Sequence, residues 1–130
     1  MTAGSLGFRI LIIAASGAVG AVARWATSRG TQVLLGTAWP WGTLAVNAVG
    51  CFVFGCAYEA LRHTAPPNDV RRLIWLTGFC GAYTTFSTFA FDLIELHASR
   101  GLAAAAANVG LHLALGPAAL VAGAAVGRLI

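Results

Sequence analysis

Residues 30–58, 73–91 and 101–127 contain no Asp, Glu, Lys or Arg. These uncharged runs are 29, 19 and 27 residues long, against the roughly 20 apolar residues that a helix needs to cross a hydrocarbon core. A fourth run extends from Ile10 toward Ser28, interrupted only by Arg24 near its far end, where a long side chain can reach back to lipid headgroups. The pattern predicts an all-α membrane protein of one domain, residues 1–130, with four transmembrane helices over about 8–29, 40–62, 69–97 and 101–127.

Composition supports this and removes other classes. Charged residues make up 9 % of the chain and hydrophobic types 58 %, where a soluble domain carries about a quarter charged residues. The net charge of +4 comes from eight arginines, distributed among the span ends, against four acids, which is not the single basic face of a nucleic-acid binder. Arg9 and the apolar run after it resemble a signal peptide, but no clear cleavage site follows, so the segment reads as a first span. Cys51, Cys56 and Cys80 fall inside spans without CxxC spacing and are expected to be reduced and structural. No cluster of His, Cys and carboxylates suggests a transition-metal site. Asp92 and Glu95 lie one turn apart without a nucleophile or a second acid pair, so no enzyme is indicated; they are expected to be solvated, or paired to arginines at a vestibule rim.

Boundaries follow from local chemistry. Pro40 suits the first turn of the second helix, Pro66 and Pro67 end it, and Asn68 or Asp69 can cap the third. Ser99-Arg100-Gly101 makes the tightest connection. Arg9, Arg62, Arg71, Arg72 and Arg128 fall on one side and Arg24, Arg29 and Arg100 on the other. This weak bias favours cytoplasmic termini while leaving dual topology open.

The centre of the third span, Gly78-Phe79-Cys80-Gly81-Ala82-Tyr83-Thr84-Thr85-Phe86-Ser87-Thr88-Phe89, crowds four Ser/Thr hydroxyls and two glycines at mid-membrane depth. Small and hydroxyl residues commonly line membrane helix contacts. Glycine beside β-branched threonine also forms helix poorly, so an unwound turn is expected, and freed carbonyls there would suit a hard cation such as Na⁺. In the second span Thr43, Asn47, Gly50 and Phe54 lie within about 40° of one helical stripe. Asn47 reads either as an interhelical hydrogen bond or as a pore amide. Phe86 and Phe89 share a face, and their positive ring edges could meet a desolvated anion. Asn108 and His112 share a face of the fourth span; His112 is the only histidine inside an uncharged run, with a neighbour-bonded neutral imidazole as the plainer reading. Pro117 is expected to kink that helix, and His63 and His97 to be interfacial. Arg24, on one face with Gly17 and Gly20, is either a snorkelling anchor or a cation at a pore vestibule.

Three segments together resemble the bacterial fluoride channel family, known as Fluc or CrcB. They are Gly20-Ala21-Val22-Ala23-Arg24-Trp25, Gly42-Thr43-Leu44-Ala45-Val46-Asn47-Ala48-Val49-Gly50 and Gly81-Ala82-Tyr83-Thr84-Thr85-Phe86-Ser87-Thr88-Phe89. The resemblance implies a four-helix protomer, its third helix broken mid-membrane, in an antiparallel dual-topology dimer in the bacterial inner membrane. Such a dimer exports fluoride passively through two pathways at its interface. The family's pore asparagine falls on Asn47 and its paired phenylalanines on Phe86 and Phe89, with Thr43, Thr85, Ser87 and Thr88 along the polar track. A structural Na⁺ at the dimer centre would be held by the main-chain carbonyls of Gly81 and Thr84. Whether the chain pairs with itself or with a paralogous partner is left open.

The fourth helix departs from the family, which commonly has a tyrosine and, four residues on, a serine where this chain has Asn108 and His112. His112 is expected to replace the hydroxyl as a neutral hydrogen-bond donor. The alternative, a proton-coupled exporter of the small multidrug type, resembles its relatives in a buried glutamate on the first helix, and residues 10–23 hold no acid.

Overall fold

The computed structural model describes residues 6–62, 66 and 69–130. Pro67, Asn68 and His63, named above for the second connection, lie outside them. The described residues form helices and connections only, with no strand. Helix α1 runs Leu6–Leu35 and α2 runs Trp41–Arg62. A third helix, α3, spans residues 70–83 and is mixed: Val70–Arg72 is α-helical, Leu73–Cys80 is wound as a π-helix, and Gly81–Tyr83 returns to α. After two extended residues, α4 covers Phe86–Arg100, and α5 covers Leu102–Gly127.

Most termini follow the local signals. Helix α1 continues six residues past the expected end because no charged residue or proline falls between Gly30 and Leu35, while the Thr31 hydroxyl satisfies itself on the Thr27 and Ser28 carbonyls. It stops at Gly36, whose φ of 79° is open to glycine at no steric cost. The Pro40 carbonyl accepts the Leu44 N–H at 3.2 Å, which starts α2. Asp69 caps α3 by accepting the Arg71 backbone N–H at 2.8 Å. The Arg71 side chain, also on that carboxylate, holds it below the usual carboxylate range. Helix α5 passes through Pro117 uninterrupted.

Helices α1, α2 and α5 are each long and apolar enough to cross a membrane. The third predicted span is not a single such helix, because the interruption after Tyr83 divides it into shorter pieces.

Helix packing relies on glycine rather than on a large apolar core. A Cβ at Gly55 would fall on the Leu120 carbonyl, one at Gly123 on the Phe52 carbonyl and one at Gly127 on the Cys56 carbonyl. Helices α2 and α5 therefore lie backbone to backbone, as small residues spaced by four allow in membranes. Glu59 bridges Arg62 at 3.1 Å and Arg128 at 3.3 Å, tying the same two helices at one end. Helix α1 approaches α3 in the same way, with Gly20 on the Phe79 carbonyl and Gly78 on the Ser16 hydroxyl. Tyr83 is buried, stacks on Phe79 at 5.5 Å and shares a 3.0 Å hydrogen bond with Thr27, which fixes the end of α3 against α1.

Candidate functional site

Thr84 and Thr85 interrupt the helix with extended backbone, φ/ψ −78°/159° and −151°/121°. Such a stretch frees donors and acceptors that a continuous helix would pair, and at this depth each must be met by protein. Asn47 meets two of them: its Oδ1 accepts the Thr85 N–H at 2.9 Å and its Nδ2 donates to the Thr85 carbonyl at 3.1 Å. One amide N–H of Asn47 remains uncommitted to Thr85. The Thr84 N–H and hydroxyl both donate to the Cys80 carbonyl at 3.0 Å, closing the end of α3. Thr85 then caps α4, its hydroxyl accepting from the Thr88 N–H at 3.2 Å.

The Thr85 hydroxyl also lies 3.0 Å from the Thr88 hydroxyl and 3.3 Å from that of Ser87, a cluster open on one side. Phe86 projects from this cap with 79 % of its surface exposed. Its ring centroid stands 5.7 Å from that of Phe89 at 54°. Phe89 in turn contacts His112 of α5, with ring centroids 4.4 Å apart. Asn47, Thr85, Ser87, Thr88, Phe86, Phe89 and His112 are thus brought together.

Thr43 joins the group from one turn up α2. It lines a polar cavity of about 340 Å³ with Thr88, Asp92, Glu95 and Ser99 of α4 and Ser28 of α1. Thr43 and Asp92 face one another across this cavity, with His112 within electrostatic reach of the Asp92 carboxylate. Asp92 and Glu95 are not paired to arginines among the described ion pairs; they line this cavity. The sequence contained the signal, since Thr88, Asp92, Glu95 and Ser99 repeat at spacings of four, three and four on one helix face.

Two side chains make contacts that spacing alone did not reveal. Arg24 lies apart from this cavity. Its guanidinium turns inward to the Thr84 carbonyl at 3.4 Å, because the helix interruption offers an oxygen released from the backbone ladder. The ring of His112 is the second. Nδ1 lies 3.0 Å from the Asn108 carbonyl, which can only accept, so Nδ1 carries the proton and Nε2 of the neutral ring is a bare acceptor.

The Asn108 side chain is fully buried, and neither its oxygen nor its nitrogen has a partner among the described residues. His97 lies exposed near the end of α4. No group of three or more His, Cys, Asp or Glu able to hold a metal occurs among the described residues.

Apolar helices of spanning length around an internally satisfied polar interruption define a multi-pass membrane protein. A sequence model of the CrcB-like proteins (Camphor Resistance, CrcB) matches residues 11–124, and the chain belongs to the CrcB family. It is 46 % identical over 118 residues to a fluoride-specific ion channel FluC of Solidesulfovibrio magneticus, covering 91 % of this chain and 94 % of that one. It is 44 % identical over 123 residues to a FluC of Rhizobium johnstonii, with 91 % and 94 % covered. A FluC of Dehalococcoides mccartyi is 36 % identical over 121 residues, with 93 % of each chain covered.

Proposed function

We propose that this chain forms a fluoride-selective channel of the bacterial inner membrane, moving fluoride passively through pores at the interface of an antiparallel, dual-topology dimer of four-span protomers. One observation carries the reading. The Asn47 carboxamide holds the Thr84–Thr85 interruption open, beside exposed hydroxyls of Ser87 and Thr88 and the phenylalanine pair Phe86 and Phe89. Fluoride is small and strongly hydrated, so its pore must replace water with close-set donors. The free Asn47 N–H, the hydroxyls of Thr43, Thr85, Ser87 and Thr88 and the positive edges of the two rings supply them. None is a fixed cation that would hold the ion.

What one protomer leaves uncovered supports the dimer. Hydroxyls and freed backbone at mid-span are costly against lipid, and Phe86 is 79 % exposed beside them. A second copy across this face would cover both and complete the pathway.

The same face suits a structural Na⁺. The Thr85 N–H, which in an unbroken helix would reach the Gly81 carbonyl, goes to Asn47 instead. That leaves the Gly81 oxygen without its helical donor. Gly81 and Thr84 line a cavity of about 330 Å³ with Gly50, Cys51, Phe54 and Cys80. Carbonyl oxygens are hard donors suited to this cation, and Gly81 and Thr84 of two copies would hold it, adding a positive field near the anion route.

The test is fluoride efflux from liposomes carrying the purified protein, with chloride as the control. Fluoride loss with chloride retained is expected. Equal retention of both, or efflux of both, overturns the reading.

A further inference from the structure

We infer that His112 and Asp92 form a proton-binding couple on the fluoride route, so that the anion passes fastest when His112 is protonated. The inference rests on the channel reading above and adds a control to it. With the Nδ1 proton committed to the Asn108 carbonyl at 3.0 Å, the neutral ring turns a lone pair at Nε2 toward its surroundings. Nε2 is buried and has no partner among the described residues, and neither has Asp92 Oδ2. The ring lies against Phe89, 4.4 Å between centroids, and so adjoins the phenylalanine pair. An acceptor lone pair and a carboxylate at this point both oppose an anion. Protonation changes both at once: Nε2 gains an N–H that can donate to fluoride, and the couple goes from a charge of −1 to neutral.

The groups around the ring leave this couple in control. From α4 come Asp92 and, one turn further out on the cavity, Glu95. From α2 comes the Thr43 hydroxyl, on the same cavity as Asp92, with the Cys51 thiol further along against Gly116. Glu59 is held at the far end by Arg62 and Arg128. Helix α1 contributes Arg24, engaged with the Thr84 carbonyl, and α5 itself has no other ionisable group before Arg128.

Imidazole changes charge between pH 5 and 8, and protonated His112 is the conducting form, so efflux is greatest at acid pH and falls as pH rises. Fluoride efflux from proteoliposomes is measured at steps from about pH 5.5 to about pH 8, subtracting the leak of protein-free liposomes at each pH. The wild-type rate should fall severalfold from the acid to the alkaline end of this range. His112→Ser should flatten the profile, and Asp92→Asn should raise the alkaline rate. Parallel profiles for wild type and His112→Ser overturn the inference while leaving the channel reading intact; no fluoride efflux at any pH overturns the channel reading itself. If His112→Ser does not assemble, the wild type decides alone, since a flat profile is incompatible with the couple.

Discussion

The Asn47 carboxamide and the Thr85 peptide group form a closed pair, each donating to and accepting from the other at 3.1 and 2.9 Å. A side chain here replaces the helical neighbours that Thr85 gives up, which makes the interruption a fixed feature of the fold. Asn47→Asp keeps the acceptor for the Thr85 N–H, removes the donor to its carbonyl and adds a negative charge. Fluoride efflux should drop by about a hundredfold or more, with stability falling by about 1–3 kcal/mol for the unmet carbonyl. Efflux assays paired with thermal unfolding in detergent check both.

Phe86 presents its ring outward and packs little within the protomer. Phe86→Ile removes the ring edge while keeping apolar bulk. The folded protomer should lose no more than about 0.5 kcal/mol, as at other surface sites. Fluoride efflux should disappear while size-exclusion behaviour stays that of wild type.

Gly123 and Gly110 sit on the same helix in opposite circumstances. A methyl at Gly123 meets the Phe52 carbonyl, whereas one at Gly110 meets nothing within 4 Å. Gly123→Ala should destabilise the α2–α5 contact by about 1–3 kcal/mol, the usual range for overpacking. Gly110→Ala should stabilise by up to about 1 kcal/mol through helix propensity. Opposite shifts in the thermal midpoint are the expected result.

Asp69 accepts the Arg71 backbone N–H and pairs with its side chain, which keeps the carboxylate ionised below its ordinary range. A depressed folded-state value means that the cap contributes above the unfolded value, about 3.9, and is lost as pH falls through the folded one. The Arg71 amide should stay protected from hydrogen exchange down to about pH 4 and lose protection in more acid solution. Asp69→Ala should leave it unprotected throughout.

Spans were readable along the chain because uncharged length is a local property: the ends of α2 and α5 fall within a residue of those expected. The glycine and threonine run gave away the unwound turn, since poor helix propensity is also local. The π-helical winding of Leu73–Cys80, in the stretch that packs against α1, left no such mark.

Sequence alone therefore determined the membrane class, the positions of the polar interruption and the residue types around it, all set by solvation and by backbone preference. Tertiary structure decided how those residues are used. Arg24 turned from the membrane surface to the Thr84 carbonyl, and Asp92 from a solvated rim into the cavity beside Thr43. His112 became an acceptor at Nε2 once Nδ1 found the Asn108 carbonyl. Each outcome depends on which groups the packing brings near, and in the first two those groups come from a different part of the chain, a proximity that spacing along one helix does not contain.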